Sequence, residues 1–137
     1  MQRLFQYPSN IQEIPRIRKD LEFLKTEWDI AGTEARQILV IIEEIFSNIV
    51  RYAFADEKEH QVEIQLFLLE SLIEIAIIDD GVPFNPLDYQ MAPDYDPTNS
   101  DAGGMGLTLI KTFSNGIDYQ RISGKNHLKI HKKIKSK

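Results

Sequence analysis

Two alternating runs in the middle of the chain set the tightest limit on its architecture. "QVEIQLFLL" places Val62, Ile64, Leu66 and Leu68 against Glu63, Gln65 and Phe67, and "LIEIAIIDDG" places Ile73, Ile75 and Ile77 against Glu74, Ala76 and Ile78. Side chains alternate across a strand, so each run is a strand with one continuous apolar face. Only Glu70–Ser71 separates the runs, which implies an antiparallel hairpin. Glu63, Gln65 and Glu74 mark the opposite face as solvated, so a covering layer is needed on one side only.

That layer is supplied by helical segments. Ser9 or Asn10 can cap a helix over about 11–28, with Ile14, Ile17, Leu21 and Leu24 at helical spacing and Pro15 in the first turn. Gly32 breaks the chain, and Thr33 with Glu34 starts a second helix over about 34–54. It is apolar nearly all round at 38–42 and is therefore expected to be deeply buried. "RLFQY" reads as a short strand ending at Pro8. "GMGLTLIKTFSNG" reads as a helix closed by Gly116, and "IDYQRI" with "HLKIHKKI" as a final hairpin through Ser123–Gly124. The expected fold class is α+β: one domain over 1–137, a two-layer α/β sandwich with a mixed, largely antiparallel sheet and helices on one face.

Composition narrows the function. A chain of 137 residues, 42% hydrophobic and 27% charged, suits a single globular core. No apolar run is long enough to span a bilayer, and the start offers no export leader, so a cytoplasmic protein without membrane contact is expected. Zero cysteines exclude disulfides and thiolate chemistry. A net charge of −5 argues against direct nucleic-acid binding through bulk charge. The tail "GKNHLKIHKKIKSK", with six lysines and two histidines, reads as an edge strand kept soluble by lysine, with a patch for an acidic partner as the alternative.

Three stretches carry polar groups where packing alone does not ask for them. In "LVIIEEIFSNIV", Glu44 and Asn48 lie one helical turn apart on one face, with Arg51 and Tyr52 a turn beyond. A carboxylate and a carboxamide so placed suit a general base beside an oxygen ligand for Mg²⁺. An internal hydrogen-bonded pair or a Glu44–Arg51 ion pair is the structural alternative. In "IAIIDDGVPF", Asp79 continues the apolar face of its strand and could accept from a ligand's amino group, whereas Asp80 suits a turn. In "GGMGLTLIK", glycines run into a helix whose free N–H groups suit phosphate. No P-loop or Rossmann pattern is present. The polar stretch 85–103, with three prolines, reads either as a lid or as a disordered segment.

In this order the stretches resemble the nucleotide-binding boxes of the GHKL, or Bergerat-fold, ATPases: Glu44 to Asn48 the N box, "DDGVPF" the first glycine box, "GGMGLTLI" the second. Within that superfamily, the "NIVRYAF" continuation and Pro83–Phe84 make the chain most similar to bacterial anti-sigma-factor serine kinases of the RsbW type. Many relatives have glycine where Pro83 stands, and Lys111 matches no family role; it reads as a solvated helix lysine.

The resemblance implies ATP with Mg²⁺ as the bound nucleotide and 85–103 as the ATP lid. Asn48 would hold the metal against the phosphates, and Glu44 would be the catalytic base. Asp79 would take the adenine amino group, with Gly81 leaving room for the ring. The wider nucleotide-binding set would comprise Arg51 and Phe84 together with Gly103, Gly104, Met105, Gly106, Leu107 and Thr108. The implied activity is a serine/threonine protein kinase acting on a STAS-domain anti-anti-sigma protein, with a sigma factor as second partner and a homodimer as the family habit. The rivals are a nucleotide-dependent binding module without kinase activity and a histidine-kinase catalytic domain. Against the latter, His60, His127 and His131 all follow the N box and no helical dimerisation segment precedes it.

Overall fold

The structure is a computed structural model that describes residues 1–54, 56, 58–85 and 104–135, except the side chains of 104–108. Strand β1 (Gln2–Pro8) leads through a 3₁₀ turn (Ile11–Glu13) into α1 (Ile14–Glu27) and α2 (Gly32–Tyr52). The hairpin β2 (Gln61–Leu69) and β3 (Leu72–Asp79) follows, then α3 (Gly104–Phe113) and a second hairpin, β4 (Gly116–Ile122) and β5 (Lys125–Lys133). The strands form one sheet in the order β1-β2-β3-β5-β4. The sequence leaves room for a mixed sheet, but all four pairings are antiparallel.

Register sorts the sheet into two faces. Phe5, Ile64, Ile77, Leu128 and Tyr119 line up across the five strands, and Leu66, Ile75 and Ile130 form the adjacent row. These rows meet α2, whose Ile41, Ile42, Ile45 and Phe46 are fully buried, and α1, whose Ile17, Leu21 and Leu24 are buried. The opposite face carries Glu63, Gln65, Glu74, His127, Lys129 and His131, matching the expected solvated side.

Four local expectations are corrected. The first helix starts with a 3₁₀ turn, where Asn10 Oδ1 accepts from the Gln12 N–H at 2.9 Å; Ser9 instead accepts from the His60 N–H. Gly32 opens α2 rather than preceding it. α3 stops at Phe113, and Gly116 begins β4. The lysine-rich tail is not an edge: β5 lies between β3 and β4, so its lysines do not guard unpaired backbone. The turn at Ser123–Gly124 is as expected, with positive φ at both residues.

Candidate nucleotide site

α2 separates its two adjacent glutamates. Glu43 reaches α1, where Arg18 donates to both its carboxylate oxygens. Glu44 is half-buried, has no hydrogen-bond or ion-pair partner among the described residues, and forms no ion pair with the exposed Arg51. One turn on, Asn48 is only 7% exposed, yet its carboxamide also lacks a partner among the described residues. No fully enclosed side-chain nitrogen or oxygen among the described residues is left unpaired, so that amide must reach open space. A buried helix face therefore presents a carboxylate and a carboxamide that nothing in the described protein satisfies. This removes both structural alternatives for the pair. It also fits a hard cation: the amide oxygen is a suitable donor, and phosphate oxygens and water complete such a shell.

The C-terminal end of α2 is locked to the turn that follows β3. The Ala53 carbonyl, otherwise an orphan of the helix end, accepts from the Val82 N–H at 2.8 Å. A Cβ at Gly81 would stand 2.3 Å from that carbonyl oxygen and 2.8 Å from the Ala53 Cβ. Glycine is thus required by the approach of two backbones, a reason the sequence did not disclose. Phe84 packs on Tyr52 of α2, with ring centroids 5.9 Å apart.

Asp79 ends β3 on the apolar face, as its alternation implies, and is 3% exposed. Its Oδ1 accepts from the Gly81 N–H and from Asn126 Nδ2, each at 2.9 Å. Oδ2 has no partner among the described residues and, like the Asn48 amide, is not enclosed. Burial pushes the carboxyl above the usual carboxylate range, while the hydrogen bonds from Asn126 and Gly81 and the nearby Arg121 oppose this. A free oxygen in an apolar setting is a directed acceptor for an amino group.

Sequence reasoning missed Asn126. It is 3% exposed and pairs across the sheet with Asp79 on one side and Arg121 on the other. Its second amide hydrogen goes to the Val82 carbonyl at 2.8 Å. Its Oδ1 accepts from the Phe84 N–H, the Tyr119 hydroxyl and Arg121 Nη1. Arg121 Nη1 also donates to the Gly81 carbonyl at 2.7 Å. The signal was available: Leu128 and Ile130 define the inward face of β5, and Asn126 is a polar residue in that series.

α3 packs against α2 and begins at Gly104, inside the second glycine box. Its other end is fastened by Lys132, a 6% exposed lysine whose Nζ donates to the Phe113 carbonyl at 2.8 Å. Burial lowers the pKa of this amine. Lys111 is exposed on the helix. Gly103 and the rest of the 86–103 stretch lie outside the described residues, as do the side chains of Met105, Leu107 and Thr108.

The connection after α2 is braced separately. His60 Nδ1 lies 3.1 Å from Asp80 Oδ1, and Nε2 lies 2.9 Å from Asp56 Oδ1. Its ring stacks on Phe54, 4.3 Å between centroids. The Asp56 contact, then the Asp80 contact, raise the His60 pKa. Among the described residues, no cluster of three or more His, Cys, Asp or Glu could hold a metal.

Glu44 and Asn48 on α2 and Asp79 at the end of β3 thus each keep a polar atom that no described residue satisfies, and the glycine-led α3 packs against α2. The chain belongs to the histidine kinase-like ATPase domain family, whose model matches residues 7–132. Within that family it is similar to serine-protein kinase RsbW of Bacillus subtilis, 24% identical over 85% of this chain and 76% of the relative. The anti-sigma F factor of Oceanobacillus iheyensis is 29% identical over 68% of this chain; the match spans 64% of that protein's length. A solved structure of the RsbU and RsbW domains of a Mycobacterium tuberculosis protein shares the fold, with a TM-score of 0.70 over 98% of this chain and 32% of the other, at 12% identity. GHKL-type architecture of the RsbW kind is thereby established.

Proposed function

We propose that this protein is an anti-sigma serine kinase of the cytoplasm, binding Mg-ATP and transferring its γ-phosphoryl group to a serine on a STAS-domain antagonist. The observation that carries the reading is the unsatisfied pair Glu44 and Asn48 on an otherwise packed helix, with one oxygen of the buried Asp79 likewise unpartnered among the described residues. Kinase and anti-sigma names among the relatives support it. Asp79 Oδ2 accepts from the adenine amino group, and Phe84 on Tyr52 gives a neighbouring aromatic surface. Asn48 would hold the metal through its amide oxygen. The cation, when bound, neutralises charge on the phosphate oxygens and orients them.

Glu44, one turn before Asn48, would accept the proton of the attacking serine hydroxyl as the phosphorus–oxygen bond forms and ADP leaves. The backbone N–H groups opening α3 would hold the phosphates at the positive end of the helix. Catalysis by such a site is mainly positioning and charge stabilisation. The antagonist, once phosphorylated, no longer displaces the sigma factor that the kinase holds as a homodimer.

The test is incubation with Mg-[γ-³²P]ATP and candidate STAS partners, followed by phosphosite mapping. A labelled serine is the expected result. Nucleotide-dependent partner binding with no label would show a binding switch instead.

A further inference from the structure

Asp79 would recognise a base only if two conditions hold. It must be ionised, because a protonated carboxyl donates rather than only accepting. It must also keep one oxygen turned to the ligand. Burial works against the first condition, and a free carboxyl rotor works against the second. Asn126 acts on both. One of its amide hydrogens occupies Asp79 Oδ1 and the other occupies the Val82 carbonyl, while three donors hold its own oxygen. The amide therefore cannot flip without breaking every one of these contacts. With the Gly81 N–H it saturates Oδ1 and leaves only Oδ2 for a ligand.

We propose that Asn126 is a positioning residue that determines base specificity: by pinning Asp79 as an acceptor with a single outward oxygen, it selects a purine bearing an amino group over one bearing a carbonyl at the same position. This rests on the Mg-ATP reading of the site. Tyr119 and Arg121 act through Asn126, fixing it from β4. The charged groups around Asp79 are Asp80 on the same turn, Arg121 on β4 and, lining a common cavity, Glu59, His60, Glu63 and Lys125. Of these, Asp80 raises its pKa and Arg121 lowers it.

The probes are Mg-ATP and Mg-ITP, which differ by an amino group and a carbonyl on the six-membered ring. Affinities are measured by calorimetry from pH 5 to 8 for the wild type and Asn126→Ala. The wild type is expected to prefer ATP, with affinity falling as Asp79 takes up a proton on the acid side. In Asn126→Ala the ATP/ITP ratio falls at least about tenfold, the worth of one directed hydrogen bond to a charged group, and the acid limb moves to higher pH. A role confined to holding the turn would weaken both nucleotides equally and leave the acid limb in place; that result overturns the proposal.

Should Asn126→Ala fail to fold by circular dichroism, Asn126→Asp carries the test. It keeps the side-chain shape but sets two carboxyl groups in contact, which then share a proton, so the ratio again drops toward one. An unchanged ratio and acid limb in a variant that binds ATP overturns the inference alone. A wild type that binds neither nucleotide overturns the nucleotide reading, and this inference with it.

Discussion

Replacing Glu44 by alanine removes a carboxylate that no described residue partners. Folding should therefore be nearly unaffected, ATP affinity should stay within a few-fold, and phosphoryl transfer should fall by about 10² or more, the usual weight of a positioned base. Single-turnover transfer beside ATP titration checks this, and normal transfer would remove the assignment. Asn48→Ala and Asp79→Asn should instead weaken ATP binding itself by about tenfold or more. Both residues were legible in the sequence because each interrupts an apolar face whose period is unmistakable. Asn126 interrupts one too, but its face belongs to a strand whose tail is crowded with lysine and histidine, a pattern typical of an edge. In the sequence, Gly81 stands as room for a ring, whereas the structure gives a collision with the Ala53 carbonyl. Gly81→Ala must push the turn off the end of α2, at about 1–3 kcal/mol by urea unfolding.

The turn after β3 is held from three elements: α2 through Ala53, the β4–β5 hairpin through Asn126 and Arg121, and the post-α2 connection through His60. Both ring nitrogens of His60 face carboxylates, and only the imidazolium can donate to both. The folded-state pKa is raised. This clamp therefore contributes fully below the ordinary histidine value of about 6.5 and is lost as pH rises through the higher folded value. Asp56, held low by His60, sets the acid side: its share is lost as pH falls through its depressed value. The Tm difference between wild type and His60→Gln should thus be largest near pH 5–6 and shrink toward pH 8. Lys132→Met should loosen the other end of α3, seen as faster hydrogen exchange over 110–115 with the sheet unaffected. Neither brace was readable from sequence, since each joins residues whose proximity only the tertiary fold creates.

At the scale of the molecule, the hairpin periods and the apolar α2 specified the layers, and the structure agrees on which face is covered. Strand order was not specified. Placing β5 inside the sheet requires the chain to run past β3 through α3, lay β4 at the edge and return. Ile75, fully buried where β3 meets β5, tests this core. Ile75→Ala should cost about 2–5 kcal/mol while unfolding stays a single transition.

The pairing of residue 79 with residue 126 also orders events in time. A ribosome delivers the acceptor carboxylate well before the amide that disciplines it, so a nascent polypeptide emerges with its recognition groups present but untuned. On the proposed reading, competence for nucleotide would wait until residue 126 has joined the sheet, and a nick at Ser123–Gly124 that let β5 leave would remove it.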